Sequence, residues 1–211
     1  MRHYNIPVFI PELACPNRCI YCNQRHISGQ AEVVSTDKVV RIIESHLQTF
    51  VRPSHVELAF FGGSFTGLEI EQQEKYLEVV QPYIKQGLIE GIRLSTRPDY
   101  ISVAVLDTLK RYNVKTIELG AQSLCDEILT LCERGHSVRD VEKASSLIKE
   151  YGFSLGLQMM VGLPSDTLER SKQTAQKIVS LGADNTRIYP TLVIPNTKLA
   201  EMYYRGDYQP L

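Results

Sequence analysis

Three cysteines lie close together near the start of the chain and are the residues best suited to carry chemistry. Cys15, Cys19 and Cys22 have the spacing Cys-x3-Cys-x2-Cys. A single cysteine is usually a small buried hydrophobic side chain, but three thiols at this density predict a metal centre. Zinc would take a fourth ligand, and His26 completes the pattern Cys-x3-Cys-x2-Cys-x3-His. An iron–sulfur cluster is the other centre that such thiolates hold.

A [4Fe–4S] cluster bound by three cysteines leaves one iron without a protein ligand. That iron is available for chemistry, as the open coordination position of a catalytic metal site is. A fourth thiolate would instead suit electron transfer, and Cys125 or Cys132 could supply it, although neither follows a predicted strand. If their segment is helical, the rise between Cys125 and Cys132 is roughly 10 Å, beyond disulfide reach, so we expect both thiols to be free.

The composition is that of an ordinary globular domain. The chain has 211 residues, 43% of them hydrophobic and 22% charged, which argues against disorder and against a coiled coil. We expect a single domain over residues 1–211. With 23 Lys and Arg against 24 Asp and Glu, no strong overall field favours nucleic acid or an anionic membrane.

Neither a membrane span nor a secretory signal is predicted. The longest uncharged stretch, residues 151–165, is shorter than the roughly 18 apolar residues of a transmembrane helix. The five cysteines are an odd number, and three of them are crowded together, which is a poor layout for a secreted disulfide framework. We therefore expect a cytoplasmic protein with no membrane partner.

Short apolar runs predict six strands, at residues 6–10, 55–61, 91–96, 115–121, 153–161 and 185–189. Most of these runs show little alternation, which is typical of strands covered on both faces. Between them, apolar residues recur every three or four positions and predict amphipathic helices. These stripes are Val39, Ile43, Leu47 and Phe50; Leu77, Val80 and Ile84; Ile101, Val105, Leu109 and Tyr112; Val141, Ala144, Ile148 and Tyr151; and Leu168, Ala175, Ile178 and Val179. One more short helix is expected over residues 196–204.

Strand and helix alternate six times, which predicts an α/β fold with parallel strands and right-handed crossovers. In such folds the chemistry lies beyond the carboxyl ends of the strands. The cysteine triplet follows the first predicted strand, and polar or glycine-rich segments follow the next four, at residues 62–66, 95–99, 122–123 and 162–164. We therefore expect a ligand site at this edge. Periodicity alone allows either an open sheet or an incomplete barrel.

The cysteine spacing, with Tyr21 before the last cysteine, resembles that of the radical S-adenosylmethionine (SAM) superfamily. Further segments resemble the successive motifs of one branch: Phe-Gly-Gly-Ser-Phe-Thr at 61–66, Ser-Thr-Arg-Pro-Asp at 95–99, Glu-Leu-Gly-Ala-Gln-Ser at 118–123, Arg-Gly-His at 134–136 and Gly-Leu-Gln-Met-Met-Val-Gly-Leu-Pro at 156–164. That branch holds the elongator catalytic subunit and, more distantly, oxygen-independent coproporphyrinogen III oxidase. The resemblance covers residue 6 to the last residue. It implies an incomplete (β/α)6 barrel of the TIM type.

In this family three cysteines hold a [4Fe–4S] cluster, and SAM binds the open iron. An electron cleaves SAM to a 5'-deoxyadenosyl radical, which abstracts hydrogen from a substrate. The resemblance thus makes Cys15, Cys19 and Cys22 the cluster ligands and the chain an enzyme, either an oxidoreductase or a transferase. It also implies an external one-electron reductant of the flavodoxin or ferredoxin type. The polypeptide holds the cofactor in register and excludes water and oxygen.

The resemblance extends to residues that bind SAM. Gly62, Gly63 and Ser64 match the motif that holds the methionyl amino group, and Ser64 stands where many members have Glu. Glycine suits a close approach of the backbone to a ligand. Ser95 and Arg97 belong to the segment whose polar groups approach SAM in family members.

Four more positions complete the predicted site. Gln122 matches a family glutamine at the end of the fourth strand, and Arg134 matches an arginine that pairs with the SAM carboxylate. Val161 matches a segment that packs near the adenine. Gln158 lies in an apolar run, where an unpartnered amide is costly, so we expect it to face the ligand or a hydrogen-bonding partner. For His136, as for other lone histidines, we expect a surface position or a hydrogen-bonded structural role.

The resemblance does not identify the substrate, for which tRNA and a small molecule remain open. Elongator-type enzymes carry an acetyltransferase domain and the coproporphyrinogen enzymes carry additional terminal segments, and this chain has the length for neither. We therefore expect a fragment or a minimal radical SAM core, truncated at its C-terminus. A four-thiolate electron-transfer protein and a zinc-binding structural module stay open as alternatives, and neither would cleave SAM.

Overall fold

The computed structural model describes residues 2–10, 15, 19–23 and 34–211. Its described residues form one sheet of six parallel strands in the order β1-β2-β3-β4-β5-β6. The strands are β1 (Arg2–Ile10), β2 (Ser54–Gly62), β3 (Gly91–Thr96), β4 (Val114–Gln122), β5 (Ser154–Val161) and β6 (Asn185–Pro190). They form a half-barrel, so the predicted incomplete (β/α)6 barrel of parallel strands is confirmed.

Helices connect successive strands in the described part of the chain. They are α1 (Thr36–Leu47), α2 (Ile70–Glu78), α3 (Gln81–Lys85), α4 (Val103–Arg111), α5 (Asp126–Leu131), α6 (Val138–Glu150), α7 (Leu168–Ser180) and α8 (Lys198–Arg205). Short 3-10 turns, Phe65–Gly67 and Pro98–Tyr100, follow β2 and β3. No helix among these residues is long and apolar enough to cross a membrane.

Hydroxyl side chains begin the longer helices. Ser35, Ser102, Thr167 and Thr197 each accept a hydrogen bond from a backbone N–H in the first turn of α1, α4, α7 and α8, respectively. Ser137 forms a capping box with Asp140 at the start of α6. Such caps satisfy backbone donors that the helix itself leaves without partners. They fix where each helix leaves the loop at the carboxyl end of a strand.

One of the predicted helices is divided into two in the structure. The stripe through Leu77, Val80 and Ile84 predicts one helix, but the structure has α2 and α3, because the first helix ends at Glu78 and the second begins with Pro82 in its first turn. Proline is favoured there because it has no N–H to pair. The short α5 carries Cys125 and Cys132 at its two ends, and both are free thiols, as expected.

The main core lies between the sheet and its helices and includes apolar side chains from all of β1 to β5. A smaller cluster lies beside the cysteine segment and consists of Ile20, Ile128, Cys132, Leu163, Leu199 and Tyr208. The backbone of Ile20 is held on both sides, because its N–H donates to the Cys132 carbonyl at 3.2 Å and its own carbonyl accepts from Leu199 N at 2.9 Å. Both α5 and α8 therefore position the segment that contains Cys19 and Cys22.

Candidate functional site

A cavity of about 580 Å³ opens at the carboxyl ends of the strands, where the sequence predicts the ligand site. All six strands contribute residues from their carboxyl halves. Of the predicted site residues, those that line it are Cys15, Cys19, Cys22, Gly62, Gly63, Ser95, Arg97, Gln122, Arg134 and Gln158. Ser64 and Val161 do not. The structure thus brings together side chains that lie more than a hundred positions apart in the sequence.

The three cysteines share this cavity, with Cys19 buried and Cys15 and Cys22 partly exposed. A tight turn joins the last two, since Cys22 N donates to the Cys19 carbonyl at 3.0 Å. No group of three or more His, Cys, Asp or Glu side chains within residues 2–10, 15, 19–23 and 34–211 is spaced for a metal ion. His26, the predicted fourth zinc ligand, lies outside the described residues.

Gly62 and Gly63 follow β2 and bring the backbone to the cavity wall. Gly62 has φ of +109°, a region that favours glycine. A Cβ at Gly62 would lie 2.4 Å from the Phe9 ring and 2.6 Å from the Ile10 carbonyl oxygen. Gly63 N donates to that same carbonyl at 2.7 Å. The glycine pair therefore joins the end of β2 tightly to the end of β1, immediately before the cysteine segment.

Ser64 is buried behind the cavity lining, and its hydroxyl is engaged by two residues that line the cavity. Its Oγ lies 2.8 Å from Thr96 Oγ1 and accepts a hydrogen bond from the Arg97 N–H at 3.1 Å. Thr66 Oγ1 lies 2.6 Å from the same threonine hydroxyl. The side chain of Ser64 thus fixes the backbone at Arg97. Its predicted contact with the amino group of SAM stays a prediction.

Arg97 is only 2% exposed, although an arginine after a strand is usually solvated. Asp99 accepts from its Nε and Nη2, both at 2.9 Å. The remaining atom, Nη1, has no hydrogen-bond partner among the described residues, and the side chain lines the cavity. Because a buried donor without a partner is costly, this guanidinium is arranged to meet an acceptor in the cavity.

Arg134 enters the cavity from the loop after α5. Its Nη2 donates to the Gly120 carbonyl at 2.8 Å and its Nη1 donates to Cys19 Sγ at 3.5 Å. A Cβ at Gly120 would lie 2.9 Å from that Nη2 and 3.0 Å from Gln122 Nε2. Glycine at this strand position therefore leaves the space that both polar side chains occupy.

Gln122 ends β4 with φ of +65°, where the pairing with β5 is irregular. A residue other than glycine is uncommon in this conformation. Its Oε1 is buried and has no hydrogen-bond partner among the described residues. Val161, by contrast, packs against the main core, and its carbonyl accepts from Thr191 N and Oγ1. Val161 thereby anchors the end of β5, and its predicted contact with adenine stays a prediction.

Glu118 is a functional candidate to which the sequence analysis assigned no role. This carboxylate is 2% exposed and accepts from Arg93 Nη2, Arg187 Nη2 and Gln158 Nε2, each at 2.9 Å. Ser95 Oγ lies 3.4 Å from it. Gln158 thus has a hydrogen-bonding partner, and its predicted contact with SAM stays a prediction. A charged residue inside the apolar run of β4 was the signal that could have identified this network, because buried carboxylates are paired.

Burial changes the protonation of two groups near the cysteines. Burial, followed by the positive charges of Arg134 and Arg97, lowers the pKa of His136 to about 4, so the ring is neutral; its Nε2 lies 3.3 Å from the Ala121 carbonyl oxygen. Burial also raises the pKa of Cys132 to about 12. Cys132 is thus a neutral thiol outside the cavity lining, whereas His136 is buried and hydrogen-bonded, as expected for a structural histidine.

The donor set fits a thiolate-bound cluster with a zwitterionic ligand beside it. Three thiols share the cavity. Among the buried atoms of its described lining without a hydrogen-bond partner, which also include Tyr21 Oη, two are of opposite kinds, since Arg97 Nη1 donates and Gln122 Oε1 accepts. An amino acid moiety presents a carboxylate and an ammonium, which match these atoms. No Asp or Glu is found among the described residues that line the cavity.

Comparisons with known proteins agree with this geometry. The chain is 34% identical over 175 residues to a tRNA uridine(34) acetyltransferase of Methanocaldococcus infernus, covering 74% of this chain and 33% of that protein. The solved structure of the M. infernus Elp3 protein with an N-terminal deletion matches 99% of this chain and 50% of its own, at 26% identity and a TM-score of 0.77.

The chain therefore spans a third to a half of the length of these two proteins. Coproporphyrinogen III oxidase of Escherichia coli shares the fold, with a TM-score of 0.66 over 99% of this chain and 47% of its own, at 19% identity. The profile of the radical SAM superfamily matches residues 10–178. The chain accordingly belongs to the radical SAM superfamily, whose cofactors are a [4Fe–4S] cluster and SAM.

Proposed function

We propose that this chain is a radical SAM enzyme that holds its [4Fe–4S] cluster on Cys15, Cys19 and Cys22 and binds SAM in the adjoining cavity. When bound, the cluster and SAM supply a one-electron reductive cleavage whose 5'-deoxyadenosyl radical abstracts hydrogen from a substrate. The observation that carries the proposal is that three thiols line the same cavity as two partnerless atoms of opposite kinds, Arg97 Nη1 and Gln122 Oε1. An external reductant of the flavodoxin or ferredoxin type would deliver the electron.

The polypeptide contributes binding and orientation. Arg97 Nη1 would donate to the SAM carboxylate, because Asp99 already occupies the other edge of the guanidinium. Gln122 Oε1 would accept from the ammonium group. The backbone at Gly62 and Gly63 allows a close approach beside these two side chains. Both ends of the amino acid moiety would thus be fixed by groups that otherwise lack partners.

Apolar side chains on the cavity wall would exclude water from the radical. Those contributed by β1, β2 and the segment after β6 are Phe9, Phe61, Leu192 and Ile194. Exclusion of water also strengthens every polar contact inside the site, since the local dielectric falls. The wall therefore supports both ligand binding and protection of the reactive species.

For the substrate we propose a tRNA, on the ground that the relative aligned over 74% of this chain is named as a tRNA uridine(34) acetyltransferase. The reaction would then be a group transfer. Because the overall charge is only -1, the tRNA would bind a local surface. Binding of a tRNA transcript should weaken steeply with salt, as phosphate contacts do, whereas a small-molecule substrate would show no such dependence.

Anaerobic reconstitution with iron and sulfide, followed by reduction in the presence of SAM, tests the radical chemistry. We expect 5'-deoxyadenosine to form, and Cys19→Ala to abolish it. Cys125→Ala is the matched control, since this thiol lies outside the cavity lining and should leave the cluster intact. A cluster that SAM leaves unchanged and that Cys132→Ala destroys would favour the electron-transfer protein. One zinc per chain without SAM affinity would favour the structural module.

A further inference from the structure

Arg134 makes a direct contact with one of the three cysteines. Its Nη1 donates to Cys19 Sγ at 3.5 Å, and both side chains are buried. Two hydrogen bonds to backbone carbonyls fix the arginine: its N–H donates to Leu129 at 3.0 Å and its Nη2 donates to Gly120 at 2.8 Å. The absence of a Cβ at Gly120 leaves room for the guanidinium. The donor is thus placed by the fold, independently of any ligand.

The electrostatic setting makes this contact strong. Arginine keeps its charge at any accessible pH, and a hydrogen bond from a charged donor to a thiolate is strengthened by burial. Cys15 and Tyr21 also lie near enough to Arg134 to affect it electrostatically. No Asp or Glu is among the described residues that line the cavity with Arg134 and Cys19.

We propose that Arg134 is a positioning residue for the cluster that raises its reduction potential through the N–H···S bond to Cys19. Hydrogen bonds to the sulfurs and nearby charge set the potential of an iron–sulfur cluster. The reduced cluster carries one more negative charge than the oxidised one, so a buried cation beside a ligand sulfur favours reduction. This inference rests on the proposed function and goes beyond the role that the family resemblance implies for Arg134, which is pairing with the SAM carboxylate, because it predicts an effect without SAM.

The test is a redox titration of the reconstituted full chain, followed by electron paramagnetic resonance in the absence of SAM. Arg134→Met removes the charge and the donors while keeping the length of the side chain. We expect the ratio of reduced to oxidised cluster at a fixed potential to fall about tenfold, which is about 59 mV for a one-electron couple. Arg187→Met is the matched control, because it removes a cation that lines the same cavity and donates a hydrogen bond to Glu118.

Two further variants keep the test decisive if Arg134→Met does not assemble a cluster. Arg134→Lys keeps the positive charge but loses the planar guanidinium. The reduction potential of the cluster should therefore fall by less in this variant than in Arg134→Met. Gly120→Ala keeps Arg134 itself and displaces its guanidinium, because the new Cβ would lie 2.9 Å from Nη2. The reduction potential of the cluster in the Gly120→Ala variant should therefore fall as well.

The outcomes separate this inference from the proposed function. If the unaltered chain assembles no cluster, the proposed function fails. If it assembles one and the Arg134 and Gly120 variants titrate at the same potential, this inference alone is overturned. The inference is also overturned if Arg187→Met shifts the reduction potential by as much as Arg134→Met does. It is likewise overturned if Arg134→Met weakens SAM binding but leaves the reduction potential unchanged.

Discussion

Asp99 holds Arg97 with both carboxylate oxygens, at 2.9 Å from Nε and 2.9 Å from Nη2. This bidentate pairing fixes the plane of the guanidinium and directs its remaining nitrogen, Nη1, away from the carboxylate. The two residues are only two positions apart, so the turn Pro98–Tyr100 sets the pairing locally. The Arg-Pro-Asp segment is thus a rigid unit that presents one donor to the cavity.

Substitution Asp99→Asn is expected to weaken SAM binding about tenfold, because the amide cannot hold both nitrogens and Arg97 gains freedom to turn. The loss corresponds to about 1.4 kcal/mol. Anaerobic calorimetry with the cluster-loaded protein measures it. Asp207→Asn is the matched control, since Asp207 pairs with Arg205 at the same spacing on the exposed surface. Unchanged SAM affinity in Asp99→Asn would contradict the role assigned to the pair.

Glu118→Gln should lower the free energy of unfolding by about 3 kcal/mol, because it leaves the partly buried Arg93 without its closest anionic partner. Chemical denaturation of the cluster-free chain measures this loss. Glu90→Gln provides the control, since the carboxylate of Glu90 pairs with His55 on an exposed surface and should contribute less than about 1 kcal/mol. Similar losses in the two variants would show that Glu118 does not organise the barrel interior.

Gly62→Ala is expected to destabilise the chain by more than about 1 kcal/mol and to impair cluster assembly. The new methyl group would overlap the Phe9 ring and the Ile10 carbonyl, which precede the cysteine segment. Gly87→Ala isolates the backbone contribution, because Gly87 also has a positive φ but a methyl group there would have nothing within 4 Å of it. Denaturation and iron content are the measurements. Equal behaviour of the two alanine variants would exclude the steric explanation.

The strands and the position of the site were predictable because parallel strands covered on both faces are nearly continuous apolar runs. Each of the six runs forms a strand, and the segments predicted after the first four contribute to one cavity, whereas residues 162–164 after the fifth are not among its lining. The six-residue helix α5 has no comparable signal, since it is too short to show a period. Local spacing also could not reveal that a proline divides the helical stripe into α2 and α3.

The directions of the side chains at the site could not be predicted from the sequence. Ser64 and Arg97 lie in adjacent motifs, yet only the structure shows that the serine hydroxyl accepts from the arginine backbone N–H. Likewise, the four donors to Glu118 come from β3, β5 and β6 and are brought together by the curvature of the sheet. Such contacts depend on the tertiary arrangement, which residue spacing does not encode.

The buried ring of His136 should make stability depend on pH. Its folded-state pKa is lowered to about 4, chiefly by burial, whereas an unfolded histidine titrates near 6.5. The unfolded chain therefore binds this proton first as the pH falls. The stabilisation from the neutral ring is present above about pH 6.5 and is lost as the pH falls through 4, with a maximum of roughly 3 kcal/mol. His136→Gln should make the free energy of unfolding depend less steeply on pH between pH 7 and 4, as measured by denaturant titrations. His46→Gln, in the last turn of α1, should keep the slope, and an unchanged slope in His136→Gln would assign the pH dependence to other groups.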